Sequence, residues 1–580
     1  MTSQASFAHF VRSRTLLLFL FAILIGLGAV EGVYGRVRYS GDAINYLNIV
    51  RAIHIGDWKL ALNSYWGLGY PLLISVVTPL FPNTPSGEWI AVHVLNVVIL
   101  AATALVFCWL ASTVAAALPM SPLLPTTSRN AIILGVFTIF LSTELSMDNV
   151  SRVGPDLLIS GLVFATCALL LQLRIEPTAM RAITLGVLLG VGFIVKAIFL
   201  PLTLVFALAA LFVMWKRQSK YSYLLLILVP AAVFAVPYIA GMSWAAGHFT
   251  YGDAGPLNYA WNVNKLEPGG LWQGQPPVYG TPIHPARMVS TMPHIYLFDG
   301  PFAVTFAPFF NSPYYYQGYR RSFSMRAQLR ACAGNIFRLV KILRFQFILY
   351  VLIVCWAIGR LGKTPPSRGV IGNLWPLLLV SAAGTAIYLL VFVEARYIAS
   401  FLAITLLVGF MAVISQHASL PQDNARPQRK SILISLMLAA SVATILATAH
   451  DADRDVIGHL QRHQLYSNDD QWKAGIYLRQ AGLHPGDKVA IIANLVDATR
   501  STWAYIDQLQ IVGILGGSLL DTQTMDFDAF WHATPEAQRV MLENFHHTGA
   551  RAVVALAKPA GMEAVGWSAI PGTPYWLYRF

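Results

Sequence analysis

Long apolar runs separated by short polar stretches dominate the chain. The first covers residues 15–30, behind a short N-terminus carrying Arg12 and Arg14. Further runs fall at about 89–113, 130–146, 156–173, 182–195, 198–215, 222–243, 346–358, 373–393, 398–415 and 431–449. Most approach the ~20 residues needed to cross the hydrocarbon core. Ala29-Val30-Glu31 is a poor cleavage site, so the first run reads as a retained anchor. The runs at 182–195 and 198–215 are short, with Lys196-Ala197 between them, and read as a tight helical hairpin. The alternative, one long buried helix, would invert everything after it.

Two polar regions break this pattern. Residues 36–82 follow the first run and hold an amphipathic segment in which Tyr46, Ile49, Val50 and Ile53 share a helical face. Gly41 and Gly56 punctuate its ends. Tyr65, Trp66, Gly67 and a Tyr70-Pro71 step then open a short apolar run. Residues 244–345 are rich in Gly, Pro and aromatics and read as ordered irregular loop. Its basic end, with Arg320, Arg321, Arg326, Arg330, Arg338, Lys341 and Arg344, reads as an amphipathic helix on lipid headgroups. From His450 the pattern turns soluble. Residues 486–493, 551–557 and 575–580 read as strands, 535–547 as a helix with Pro at its start, and Gly513 to Gly517 as a turn. This is a small α/β domain without a nucleotide fingerprint.

Composition narrows the class. The chain is 56% hydrophobic and only 12% charged, where a soluble domain carries about 25% charged residues. A large soluble enzyme is excluded. The net charge of +13 is explained by basic residues in short cytoplasmic loops, and no aromatic-interleaved basic run marks a nucleic-acid partner. With the N-terminus inside, the inner loops hold Arg129; Arg174 and Arg181; Lys216, Arg217 and Lys220; Arg360, Lys363 and Arg368; Arg426, Arg429 and Lys430. The expectation is about eleven spans, with residues 1–449 as the membrane domain and 450–580 as a domain on the outer side. Loop 34–88 and loop 244–345 then face outward with it. Cys108, Cys167 and Cys355 lie in apolar runs and Cys332 in a loop, so no disulfide framework is expected.

On this topology the residues with chemical potential gather outside. Asp42 opens the amphipathic segment, as a general base at the membrane boundary or as a helix N-cap. The next outward loop holds Glu144, Asp148, Arg152 and Asp156; the last three recur every four residues and would share a face if helical, although Gly154-Pro155 intervenes. Pro155-Asp156 also looks like a helix start, which gives Asp156 a capping role. Lys196 is a point charge for a phosphate or a snorkelling interfacial residue. Glu394-Ala-Arg396-Tyr397 offers a planar fork suited to phosphate, or an Arg-Glu pair with a Tyr anchor. Spacing from His450 to His463 fits no metal site. Gly186, Gly190 and Gly192 read as close helix packing.

Taken in order, GDAINYL through GYPLLIS, Pro155-Asp156, Lys196 after a Gly-rich span, and EARY before a late span resemble the GT-C class of membrane glycosyltransferases. The bacterial members related to protein mannosyltransferases and the aminoarabinose transferase of lipid A are most similar. The resemblance covers roughly the first 415 residues, and the tail is similar to outward domains of such enzymes. It implies a polytopic helical fold in a bacterial inner membrane, a polyprenyl-phosphate-linked sugar donor, and a glycan, lipid or protein acceptor on the outer side. By it, Asp42 would deprotonate or orient the acceptor, Asp156 would help place it, and Lys196 and Arg396 would hold the donor phosphate. Tyr46, Asp148, Arg152, Glu394 and Tyr397 would support them. Many members have two adjacent acids in the first loop; Gly41-Asp42 offers one, so no metal or other cofactor is expected. Two other classes fit the composition. A lipid or polysaccharide-precursor flippase would show repeated halves, and a non-catalytic scaffold would leave Asp42 dispensable.

Overall fold

A computed structural model describes residues 14–35, 40–118, 126–148, 150–291, 293–343, 368–418, 469–516, 527–556, 558 and 565–580. The expected spans at 346–358 and 431–449, and the His450–His463 stretch, lie outside the described residues.

The apolar runs fold as helices. In the membrane part these are α1 (Arg14–Gly35), α2 (Gly41–His54), α3 (Gly69–Val77), α4 (Pro85–Ala116) and α5 (Thr126–Phe140). They continue with α6 (Asp156–Ile175), α7 (Ala179–Val195), α8 (Phe199–Val213), α9 (Lys220–Ala246) and α10 (Ala254–Asn262). Next come α11 (Met325–Ile342), α12 (Arg368–Val391) and α13 (Ala395–Ala418). Among the described residues six helices are long and apolar enough to cross a bilayer: α1, α4, α6, α9, α12 and α13. Shorter apolar helices include α7 and α8, so the chain does break at Lys196 as the paired runs require.

Close packing needs small residues. A Cβ at Gly186 would sit 2.2 Å from the carbonyl oxygen of Ile227, and one at Gly190 would sit 2.8 Å from that of Ala231. These contacts let α7 lie directly along α9, as the glycine run anticipated. Helix α6 packs along α4 in the same bundle, where Thr103 donates to the Leu157 carbonyl at 3.1 Å.

The described strands form a seven-stranded sheet in the order β1-β2-β4-β3-β5-β7-β6. Its strands are β1 (Arg287–Thr291), β2 (His294–Leu297), β3 (Lys488–Ile492), β4 (Gln510–Leu515), β5 (Ala552–Leu556), β6 (Trp567–Ala569) and β7 (Tyr575–Arg579). The three expected tail strands are β3, β5 and β7, and the expected helix is Pro535–His546. Two expectations are corrected. The 244–345 stretch is not wholly irregular, because its β1-β2 hairpin pairs antiparallel with β4 and extends the tail sheet. Gly513 is not in a turn but inside β4, where a Cβ would lie 2.9 Å from the Phe545 ring and 3.0 Å from Leu297. There a glycine serves close packing rather than chain reversal.

The tail also grips the membrane part. The Tyr505 hydroxyl donates to both Glu88 oxygens, at 2.9 and 2.8 Å. The Arg51 guanidinium lies 3.6 Å above the Tyr505 ring and donates to the Tyr505 carbonyl at 3.2 Å. Arg51 belongs to α2, whose first turn carries Asp42.

Candidate functional site

Helix α2 starts where Ser40 caps it, its hydroxyl accepting from the Ala43 amide at 3.2 Å. The cap belongs to Ser40, so the capping reading of Asp42 is set aside and its carboxylate is left to face a cavity. The helix ends beside Gly56, whose φ of +76° suits glycine. Tyr46, Ile49 and Val50 are buried as the pattern requires. The Tyr46 ring meets Trp66 at 5.3 Å and Tyr70 at 5.7 Å, both edge-on. The second wall is set by Gly67, where a Cβ would lie 2.0 Å from the Val195 carbonyl oxygen. Only glycine lets the Tyr65–Trp66 segment pass against the end of α7, next to Lys196. Trp66 is further tied by its indole N–H to the Phe310 carbonyl at 3.1 Å.

Four ionisable residues from four separate stretches converge here. Lys196 Nζ donates to Asp156 Oδ1 at 2.5 Å. Arg396 Nη2 donates to Asp42 Oδ2 at 2.9 Å, and Nη1 lies 3.4 Å from Asp156 Oδ2. Arg396 Nε donates to Glu394 at 2.7 Å. The Asp156 and Arg396 side chains are 4% and 9% exposed, whereas Asp42 is 27% exposed. Pro155, not Asp156, occupies the cap position of α6, and the Asp156 carboxylate is spent on the two cations. Lys196 does not snorkel away from the bundle; its ammonium sits 4.1 Å above the Tyr397 ring. The Arg-Glu pair at 394–396 is present, but Tyr397 stacks on Tyr388 at 5.0 Å inside the site instead of standing at the interface as an anchor.

These residues line a cavity of about 650 Å³. Its polar end is the Asp42, Asp156, Lys196, Arg396 cluster, and its apolar wall comes from Leu200 and Leu204 of α8 and Ile387 and Val391 of α12. Leu204 is 64% exposed on the helix surface, so the wall continues onto the outside of the bundle. Sequence reasoning missed Tyr388, Tyr238 and Asn258, which also line the cavity. Asn258 donates to the Tyr65 hydroxyl at 3.2 Å. Burial first, then the nearby Asp42 charge, pushes the Tyr65 hydroxyl well above its ordinary range, so Tyr65 stays a neutral donor.

The expected face of Asp148, Arg152 and Asp156 is not formed. The chain is not helical from 150 to 155, because Gly154-Pro155 bars the preceding residues from helical geometry. Arg152 is exposed and does not line the cavity. Asp148 is 3% exposed, and burial together with the Asp156 charge raises its carboxyl well above the usual range. It therefore lies behind the cavity wall rather than in it.

The architecture is a bundle of apolar helices with a C-terminal sheet domain, and two solved structures are among those that share it. The crystal structure of ArnT from Cupriavidus metallidurans in the apo state is 12% identical at a TM-score of 0.51, over 98% of both chains. The structure of ArnT from the same organism bound to undecaprenyl phosphate is 11% identical at a TM-score of 0.52, over 97% of this chain and 98% of that one. No protein-family model and no curated protein sequence matches the chain.

Proposed function

We propose that the protein is a membrane glycosyltransferase that moves a sugar from a polyprenyl-phosphate donor to an acceptor on the outer face of the inner membrane. The observation that carries this is one cavity joining a Lys-Arg pair and the carboxylates of Asp42, Asp156 and Glu394 to an apolar wall that continues onto the lipid-facing surface. A prenyl chain suits the wall and a phosphate suits the cations. The fold shared with a protein that binds undecaprenyl phosphate supports the same reading.

In this reading Lys196 holds the donor phosphate. One of its three N–H donors is used by Asp156, which leaves capacity for a phosphate oxygen without breaking that pair. Arg396 neutralises charge that builds on the same oxygens. Asp42, 27% exposed at the polar end where Asp156 is 4% exposed, accepts the acceptor's hydroxyl proton. The acceptor oxygen bonds to the sugar's anomeric carbon as the carbon–oxygen bond to phosphate breaks. The electron pair leaves with the polyprenyl phosphate, and the anomeric centre inverts. Asp156 is the anchor that fixes both cations.

Binding of a polyprenyl phosphate to the purified protein in detergent tests this directly. The phosphate should bind at least tenfold more tightly than the matching prenyl alcohol, and Lys196→Gln should remove most of that difference, about 1.4 kcal/mol or more. Equal binding of alcohol and phosphate would sink the phosphate assignment.

A further inference from the structure

We propose that α11, together with Arg326, Arg330 and Lys341 on it, is a docking element for an anionic phospholipid surface, set beside the cavity's lateral wall. The proposal is independent of the reaction assigned above.

The helix has an unusual division. Its inner side rests on α12: Gln328 donates to the Leu390 carbonyl at 2.7 Å and Asn335 to the Leu389 carbonyl at 3.0 Å. Asn335 is its single buried residue. The remainder of the surface carries two stripes. Met325, Leu329, Ile336 and Val340 are 61%, 61%, 53% and 58% exposed. At about 100° per residue they fall within roughly 60° of one another. Arg326, Arg330 and Lys341 are exposed on the adjoining sector, where Phe337, 61% exposed, stands among them with the Lys341 ammonium 4.5 Å from its ring. An exposed apolar stripe beside a cationic stripe has no use in water. It fits a boundary with hydrocarbon on one side and phosphate on the other.

Charge and position identify the occupant. No Asp or Glu occurs between Asp299 and Glu394, so the helix and its approach, with Arg320 and Arg321, are purely cationic. A neutral or basic protein surface would not complement it; anionic headgroups do, at about 1 kcal/mol per cation. The depth is also right. The helix packs on the end of α12 that leads into Glu394 and Arg396, and α12 is long and apolar enough to span. Arg338 lies 4.9 Å over Phe392, a residue of the cavity wall. The docking element therefore holds the cavity's open side at headgroup level.

The test uses the full-length protein in vesicles of phosphatidylcholine with a minority of phosphatidylglycerol. A dye is placed on Ala333→Cys in a Cys332→Ser background; Ala333 is exposed. Either lipid is brominated in its chains, and quenching is compared per mole of brominated lipid. We expect quenching by both, with the anionic lipid at least about twofold more effective, and this preference falling as salt is raised. Arg326→Gln/Arg330→Gln/Lys341→Gln should bring the ratio to about one while quenching persists through the apolar stripe. No quenching by either lipid would show that the stripe faces something other than the bilayer. Equal quenching in the unmodified charge background, or an unchanged ratio in the triple variant, would overturn the assignment to these cations. The salt series needs no charge variant, so a misfolded triple variant does not rescue the proposal.

Discussion

Replacing Arg396 with Lys keeps the charge and removes the fork. Arg396 spreads its donors over three carboxylates, at 2.9 Å to Asp42, 3.4 Å to Asp156 and 2.7 Å to Glu394, with 9% of its side chain exposed. A lysine ammonium is a point charge on a stem that reaches one of these in ideal geometry. Two of the three charge-assisted contacts are then lost or lengthened. Hydrogen bonds to charged groups are worth about 1.5–3 kcal/mol each. The loss is thus about 3 kcal/mol, and it falls on the contacts that fix the Asp42 carboxylate, the proposed base for the acceptor, beside the cations proposed to hold the donor phosphate. At 1.36 kcal/mol per tenfold change, Arg396→Lys should lower kcat/KM for sugar transfer by about 10²-fold. The assay is transfer of labelled sugar from a polyprenyl-phosphate donor by purified protein in lipid, beside a thermal-unfolding measurement that shows the variant folded. A folded Arg396→Lys enzyme within threefold of the parent would refute the view that the fork organises the site.

Other outcomes separate anchor from base and tail from bundle. Asp156→Asn leaves Lys196 and Arg396 without their 4%-exposed partner, so it should lower thermal stability markedly, as uncompensated buried charge does. Asp42→Asn should leave stability near the parent and cost about 10²–10⁴-fold in transfer rate; the reverse ranking would exchange the two roles. Tyr505→Phe deletes the donor to Glu88 at the start of α4 and should speed hydrogen exchange at the N-terminal end of α4, while unchanged exchange would show that this contact does not tie the tail to the bundle. In the tail, burial outweighs the Arg479 pair and lifts the Asp507 carboxyl to about 6. The folded state therefore holds this proton more tightly than the unfolded chain does. The stabilisation is complete below about pH 4 and is lost as pH rises towards 6. Hydrogen exchange of β3 and β4 should accelerate over that window in the parent and flatten in Asp507→Asn; parallel profiles would reject the assignment.

Much of the site was legible because charge is scarce in this chain. With 12% charged residues, each ionisable group at the end of an apolar run stands out, and Asp42, Asp156, Lys196 and Arg396 are all such groups. The amphipathic face of α2 and the tail strands β3, β5 and β7 were legible from short-range pattern alone. What failed was long-range or ambiguous. The β1-β2 hairpin is four or five residues per strand amid Gly and Pro, and its partner in β4 lies over 200 residues away, as in Ile295 opposite Leu515. Nothing local encodes that pairing. Arg152 kept a helical spacing, but the Gly154-Pro155 break decided its geometry. Tyr388 and Tyr238 are aromatics within apolar helices, where nothing distinguishes a cavity wall from a packed core. Asp42 and Asp156 both had capping readings, and only the location of Ser40 and Pro155 at the caps separates them from that role.

Transfer of a sugar from a lipid phosphate with Asp42 as base is tested by turnover of labelled polyprenyl-phosphate sugar donors by the purified protein in lipid, beside Asp42→Asn. The parent should yield labelled glycoside or free sugar, and the variant should lose at least about 10²-fold. Undiminished transfer by folded Asp42→Asn, or no turnover of any donor by a folded parent that binds polyprenyl phosphate, would contradict it.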